Sequence, residues 1–398
     1  MTIPAGAARA GVARLRTLAG ATLRANPALE LVPVESPGAV RREREDAVPG
    51  SPEYVGVLRP RAHRWIGVRA AGAPVAELFR ALARPRTVPR AVLERLGADA
   101  DRELARLVLD GVLEIETGSG FAFGADAWSA CFHPSGAEPA PRGVIGRLSL
   151  AAIHYAVGLP IDDTERLAAR LYFFNRHPVT PWWRQRLPSV AATARFLGME
   201  RGAARETLER HWRCVHESRY SDEWSNWIPR SGGDLTPRGA HVFKLFVSPD
   251  PRYAAEALHL LIETASPIGA PAFKFGCGVY SLLRPDKFVL YFSRKRDMEE
   301  CARTLCRALE GVPAHAVPFS AEIGPGGIVS WGVDVPDAIQ LLDWRGTESW
   351  RFWITSRLAR AIIIARHARG SGVPPATFAL DRLSLDDVDV ATWTPLAA

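Results

Sequence analysis

The chain has 398 residues, five cysteines and a formal charge of +7, with a pI near 9.4. That length allows two or three domains, each burying a core. The odd cysteine count without a C-x-x-C pair excludes a zinc ribbon or a disulfide framework and fits reduced thiols in a cytoplasmic protein, and no run reaches the ~18 apolar residues of a membrane span.

Residues 1–52 are rich in Ala and Arg, with no acid before Glu30. This composition predicts a flexible, partly helical arm ending at the Pro49-Gly50-Ser51-Pro52 breaker. A transit peptide looks similar, whereas a secretory signal needs a compact apolar segment that is missing here. Residues 53–128 predict a small domain, with strands at 54–58 and 65–68. A helix over 74–83 places Val75, Leu78, Phe79 and Leu82 on one face. A second short helix starts within 88–93, with Pro89 tolerated in its first turn. Asp99 is placed to cap a third helix, striped by Leu104, Leu107, Val108 and Val112. Residues 112–115 and 121–123 then form a two-stranded wing around Gly118-Ser119-Gly120.

Strands, three short helices and a wing make a winged helix-turn-helix, for which two uses compete. A DNA reader needs base- and phosphate-contacting residues on its last helix. Here that helix reads Asp101-Arg102-Glu103-Leu104-Ala105-Arg106, and the interleaved acids repel phosphates. The other use is capture of a peptide strand at a sheet edge. Through Ala76-Glu77-Leu78-Phe79, Leu104 to Leu107 and Asp110-Gly111-Val112-Leu113-Glu114 the stretch resembles PqqD-like domains, the RiPP recognition elements. That resemblance implies a precursor (leader) peptide as partner and makes nucleic acid an unfavoured one; a purely structural wing is the plain alternative.

Residues 129–147 read as a Pro/Gly-rich linker, and 148–398 as an α+β domain with a helical start. Ile153, Tyr155, Leu167, Leu171 and Tyr172 are its first core candidates. The runs Phe173 to Arg184 and Trp224 to Arg230 set aromatics beside Asn and Arg. Such runs make either a stacking surface or, more commonly, a buried corner between helices. Strands are expected at 243–247, 273–275 and 287–292, and helices at 251–266 and 297–309, the latter turning Cys301 and Cys306 inward. Residues 317–319 and 328–331 read as edge strands around Gly324-Pro325-Gly326-Gly327, a turn that lacks the pattern of a nucleotide loop. A last helix over 347–369 packs through Trp350, Ile354, Leu358, Ala361 and Ala365. Arg351, Arg357, Arg360, Arg366 and Arg369 lie around the rest, and 371–398 read as a loosely packed tail.

All four lysines, Lys244, Lys274, Lys287 and Lys295, fall between 244 and 295, against 46 arginines in the whole chain. Lysine is the cation that gives up its proton on burial or beside another cation, and so can serve as a base. Chance or the marking of sheet edges is the plain alternative, and Lys295, in Arg294-Lys295-Arg296-Asp297, reads as a surface charge. Strand alternation puts Lys244, Phe246 and Ser248 on one face, and Lys287, Val289 and Tyr291 on one face. Lys244, Lys274 and Lys287 are therefore expected to converge on one site.

Phe-Lys-Leu-Phe-Val-Ser-Pro (243–249), Ala-Phe-Lys-Phe (272–275) and Asp-Lys-Phe-Val-Leu-Tyr-Phe (286–292), in strand–helix–strand–strand–helix order, resemble one known set. It is the lyase domain of class III lanthipeptide synthetases, related to the phosphothreonine lyases of bacterial type III effectors. The resemblance spans residues 240–335. It implies elimination of phosphate from phosphorylated Ser or Thr of a precursor peptide, giving dehydroalanine or dehydrobutyrine, with no cofactor and no metal. It maps the base onto Lys274 and a phosphate contact onto Lys244, with Lys287 in the same set. The chain departs from the family twice. The general-acid histidine two residues after the first lysine is Phe246 here, and Ser330-Trp331-Gly332 stands where an arginine precedes an aromatic–glycine pair. Tyr291, His241 and His315 are the candidates for the acid; Arg284, Arg345 and Arg351 are those for holding phosphate. No kinase signature set is present, so a separate Ser/Thr kinase is an expected partner. Two readings stand: a lyase-like enzyme of RiPP biosynthesis, or a non-catalytic protein that binds a precursor peptide or partner kinase on the same scaffold. A winged-helix DNA regulator is a distant third.

Overall fold

The computed structural model describes residues 14–33, 54–133, 141–215, 223–232, 242–268, 271–334 and 349–396, and it is an α+β molecule. Residues 14–33 carry three short strands, β1 (Arg14–Leu15), β2 (Leu23–Ala25) and β3 (Leu29–Pro33), where the composition predicts a loose helical arm. Leu18, Leu23 and Leu29 are buried and anchor them. Buried Asn26 ties the β2–β3 turn down by donating from Nδ2 to the Gly111 carbonyl. Strands this short show no readable alternation.

β3 pairs with β4 (Tyr54–Pro60), and β4 with β5 (Arg69–Gly72). The strand expected at 65–68 is displaced: Gly67, at φ +77°, follows a helical turn at Arg64–Ile66, and β5 begins beyond it. Three helices follow, α1 (Ala73–Ala81), α2 (Arg90–Leu96) and α3 (Ala100–Leu109). Leu104, Leu107 and Val108 are buried as the stripe requires. Asp99 does not cap α3; it pairs with Arg102 instead. A hairpin of β6 (Leu113–Thr117) and β7 (Gly120–Ala122) comes next, with β2 on its other side. β8 (Phe132–His133), within the expected linker, pairs with β1.

Helices α4 (Gly143–Gly158) and α5 (Thr164–Tyr172) open the second half. Tyr155, expected in the core, is 44% exposed. Three shorter helices, α6 (Pro181–Arg186), α7 (Val190–Phe196) and α8 (Ala203–His211), lead to β9 (Trp212–Val215). The second aromatic run is strand β10 (Trp224–Pro229), not a helical corner. Then come β11 (Phe243–Val247), α9 (Ala254–Ala265), β12 (Ala272–Gly276), β13 (Phe288–Phe292), α10 (Lys295–Ala308), β14 (Ala321–Ile323) and β15 (Val329–Val333). They form one antiparallel sheet of order β14-β15-β11-β13-β12-β10-β9. Residues 317–319 are not a strand, and β15 is interior rather than an edge.

Alternation sorts this sheet into two faces. Phe243, Leu245, Val247, Phe273, Phe275, Phe288, Leu290 and Phe292 share one face and join the main core with Leu258 and Leu261 of α9 and Cys301 and Leu305 of α10. Each such side chain stabilises the fold by about 1.5–3 kcal/mol. The opposite face carries Lys244 and Lys274.

The chain closes with α11 (Trp350–Arg366) and α12 (Pro375–Ser384). α11 is buried nearly all round, and Arg351 and Arg357, predicted to lie outside its packing face, are 1% and 7% exposed. Carboxylates draw them in, Asp286 for Arg351 and Asp386 for Arg357. The predicted loose tail is packed instead, with Phe378, Leu383 and Trp393 buried. Arg382 of α12 makes a bidentate bond to Asp110 after α3, at 2.7 and 2.8 Å, and reaches Asp386 at 2.7 Å. Arg69 and Arg106 join the same two carboxylates from the N-terminal half. Among the described residues no helix is long and apolar enough to cross a membrane.

Candidate active site

Register fixes the floor. Lys244 on β11 lies opposite Tyr291 on β13 and Gly332 on β15. Lys274 on β12 lies opposite Val289 on β13 and Asn226 on β10. Directly opposed residues share a face, so Lys244, Lys274, Tyr291, Val289 and Phe246 occupy one surface, with β13 between the two lysines. Two strand spacings put the lysine backbones roughly 10 Å apart across the sheet. Both lysines are half-buried. Lys274 Nζ stands 4.6 Å from the ring centre of Trp224, and Lys244 Nζ stands 5.5 Å from that of Tyr291. An aromatic face attracts a cation without neutralising it. Lys244 also forms an ion pair with Asp334 at 2.6 Å.

Beside Lys274 a buried carboxylate organises the wall. Asp286 accepts from Arg284 Nε and Nη2, both at 2.8 Å, and pairs with Arg351 Nη1 at 2.8 Å. Burial alone would raise its pKa, but Arg284 and Arg351 outweigh it and hold the carboxyl well below the usual carboxylate range. Arg284 also donates to the Tyr172 hydroxyl at 2.9 Å and lies over the rings of Tyr172, Phe173 and Trp224. Arg351 is fixed further by the carbonyls of Pro318 and Tyr172. The Arg284-Pro285-Asp286-Lys287 segment thus sends its arginine and aspartate to the site wall.

Lys287 goes elsewhere. It is fully buried, donates to the Pro249 carbonyl at 2.8 Å and bonds His315 Nδ1 at 2.9 Å. His315 Nε2 is bonded to the Asn175 carbonyl. That bond makes Nε2 the protonated nitrogen and Nδ1 the acceptor. Burial pushes the Lys287 amine down to about 7. Burial, reinforced by Lys287 and His177, takes His315 down to about 2. Both groups are engaged internally: His315 is held neutral with both nitrogens bonded, which removes it as the acid, and Lys287 does not join the other two lysines at the open surface. His315 in turn braces residues 313–316 against the loop after α5, where Asn175, at φ +65°, donates from Nδ2 to the His315 carbonyl at 2.6 Å.

The sequence-derived candidates therefore divide. Lys244, Lys274, Tyr291, Arg284 and Arg351 belong to one neighbourhood, Arg351 as a buried support. His241 and Arg345 lie outside the described residues. Phe246, two residues after Lys244, is buried against Val289 and Val317 with Tyr291 packed on them, and it offers no proton. Tyr172, Trp224, Asp286 and Asp334 complete the site and went unassigned in the sequence. The Arg284-x-Asp286 spacing carried a signal for Asp286; Trp224 needed the strand register. Among the described residues no three His, Cys, Asp or Glu side chains gather as metal ligands.

No family model matches the chain, and no curated protein matches it. Among solved structures it is similar to an effector protein from Pseudomonas syringae pv. tomato strain DC3000, with a TM-score of 0.39 and 13% identity over 62% of this chain and 96% of that one. An effector protein from Pseudomonas syringae pv. syringae strain 61 gives a TM-score of 0.37 and 12% identity over the same shares. Similarity at this level assigns no activity.

Proposed function

We propose that the lysine face is the active site of a phosphoserine/phosphothreonine lyase acting on a precursor peptide in RiPP biosynthesis. The observation that carries this reading is the placement of Lys244 and Lys274, half-buried on one sheet face and one strand apart, beside Arg284. The Lys274 amine takes the Cα proton. The electron pair left on Cα forms the Cα=Cβ bond, and the Cβ–O bond breaks with its pair on the departing phosphate. Lys244 and Arg284 hold that phosphate and offset its charge, and Tyr291, beside Lys244, is the hydroxyl assigned to protonate it. The products are dehydroalanine or dehydrobutyrine and inorganic phosphate. The N-terminal half would hold the leader as a winged helix does, by strand addition: among the described residues β3 and β5 are each paired on one side only, by β4. Phosphorylation would come from a separate kinase.

The test is phosphate release, with loss of phosphoric acid mass, from a phosphorylated precursor incubated with the full chain. Removing a general base costs ~10²–10⁴-fold. Lys274→Ala is expected to lose that much while leader binding is unchanged. Lys274→Arg is expected to fail as well, because guanidinium keeps its proton. The burial of Phe246 where an acid is expected favours a second reading, a binding protein without chemistry. Wild type that binds the phosphopeptide and removes no mass would establish it.

A further inference from the structure

We propose that the N-terminus of α11, the Trp350 indole N–H and Lys244 form one phosphate-binding hole, in which Asp334 pairs with Lys244 alone in the free chain and a phosphate monoester takes its place and reaches the indole as well. This rests on the reading above only in placing phosphate at Lys244.

Gly332 lies directly opposite Lys244, and opposed residues in such a pair sit about 4.5–5.5 Å apart at Cα. A Cβ on Gly332 would fall 2.6 Å from Trp350 Cδ1, so the indole occupies the space over the sheet next to Lys244, and glycine is what lets it in. Trp350 is 4% exposed, and its Nε1, bonded to that same Cδ1, has no hydrogen-bond partner among the described residues. A buried donor in that state calls for an acceptor. Trp353 and Trp393 share it, but Trp353 lies against Arg357 and Trp393 against Phe319; Trp350 is the one that abuts the lysine face.

A second observation points the same way. Trp350 is the first residue of a 17-residue helix whose N-cap, Ser349, gives no side-chain cap bond. The positive end of α11 therefore lies over Gly332, the residue directly opposite Lys244, and a helix N-terminus beside a cation-bearing strand favours anions. Arg351, locked onto Asp286 and two carbonyls, keeps that helix end in place. β15 itself, Val-Ser-Trp-Gly-Val, supplies no cation, and its Ser330 is buried and bonded to Ser320.

Alternation puts Asp334 on the same face as Gly332, and its carboxylate is already 2.6 Å from Lys244 Nζ. The free chain thus holds an anion of its own at this point. A phosphate monoester brings nearly twice the charge and three acceptor oxygens, enough to compete with one carboxylate.

The experiment follows indole N–H signals in the full chain while a phosphoserine peptide, its unphosphorylated form and inorganic phosphate are titrated in. The Lys274→Ala protein is used so that the peptide is not consumed. The Trp350 signal is identified as the one missing from Trp350→Phe. It is expected to shift with phosphopeptide and with phosphate, and not with the unphosphorylated peptide. Trp350→Phe keeps the ring and removes the donor, and is expected to weaken phosphopeptide binding about tenfold or more. Asp334→Asn is expected to tighten it. A Trp350 signal unmoved at saturation overturns the proposal, as does equal binding by Trp350→Phe; if that variant fails to fold, the Trp350 signal is assigned by through-bond sequential connectivity in the Lys274→Ala protein and its shift decides alone. A shifted indole in a wild type that eliminates nothing would keep the hole and remove the lyase. Elimination with an unmoved indole would do the reverse.

Discussion

Two arginine–aspartate clusters in this chain use the same side chains for different ends. Around Asp110 and Asp386, Arg69, Arg106, Arg357 and Arg382 are all buried, and each reaches at least one of the two carboxylates. Burial would raise both acids, but the arginines around them hold both below the ordinary range. That cluster joins α3 and β5 to α11 and α12 and turns no charge outward. Around Asp286 two arginines saturate the carboxylate in the same way, yet Lys274 and Lys244 alongside keep partial access to solvent, held mainly by aromatic faces and one carboxylate. A buried ion network alone marks structure. A site is marked by cations left with capacity to bind at the edge of such a network.

The largest effect expected from this contrast is on stability. Arg382→Met removes three hydrogen bonds to two buried carboxylates. Leaving such charges uncompensated costs about 3–5 kcal/mol, to be read from chemical denaturation, while phosphopeptide binding by the folded fraction stays as in wild type. A neutral Arg382→Met would break the comparison, because the closed cluster would then not be structural. A smaller effect concerns Lys287. Burial lowers its amine to about 7, against about 10.4 in the unfolded chain. Between those values the unfolded chain binds the extra proton, so Lys287 contributes stability that rises with pH from 7 to 10, against the opposite contribution of the Cys131 and Cys301 thiols, which burial pushes up to about 12. Lys287→Met is expected to remove the Lys287 part of the slope, worth roughly 3 kcal/mol across the interval. An unchanged slope would mean that Lys287 keeps its charge in the folded chain.

Much of this was legible in the sequence where a period could be read. The strands of 243–292 and the stripe of α3 fell where alternation and helical spacing put them. The confinement of lysine to that region led to the expectation that its lysines converge, and the register puts Lys244 and Lys274 on one sheet face. What failed were features set by distant partners. Lys287 alternates with Val289 and Tyr291, but it precedes the strand and turns inward to His315 and Pro249. Arg351 and Arg357 looked solvated because the carboxylates that bury them are 65 and 29 residues away. Trp224 read as a corner because an isolated six-residue strand shows no partner until β12 lies beside it.

The central claim is that Lys244 and Lys274 act on one phosphorylated residue. A double-mutant cycle on phosphate release tests it most directly, with wild type, Lys244→Ala, Lys274→Ala and the double variant compared on one phosphorylated peptide. Groups that serve a single elimination are strongly non-additive. The double variant is therefore expected to be no slower than Lys274→Ala alone. Losses that multiply, or a Lys274→Ala protein as fast as wild type, would contradict a shared site.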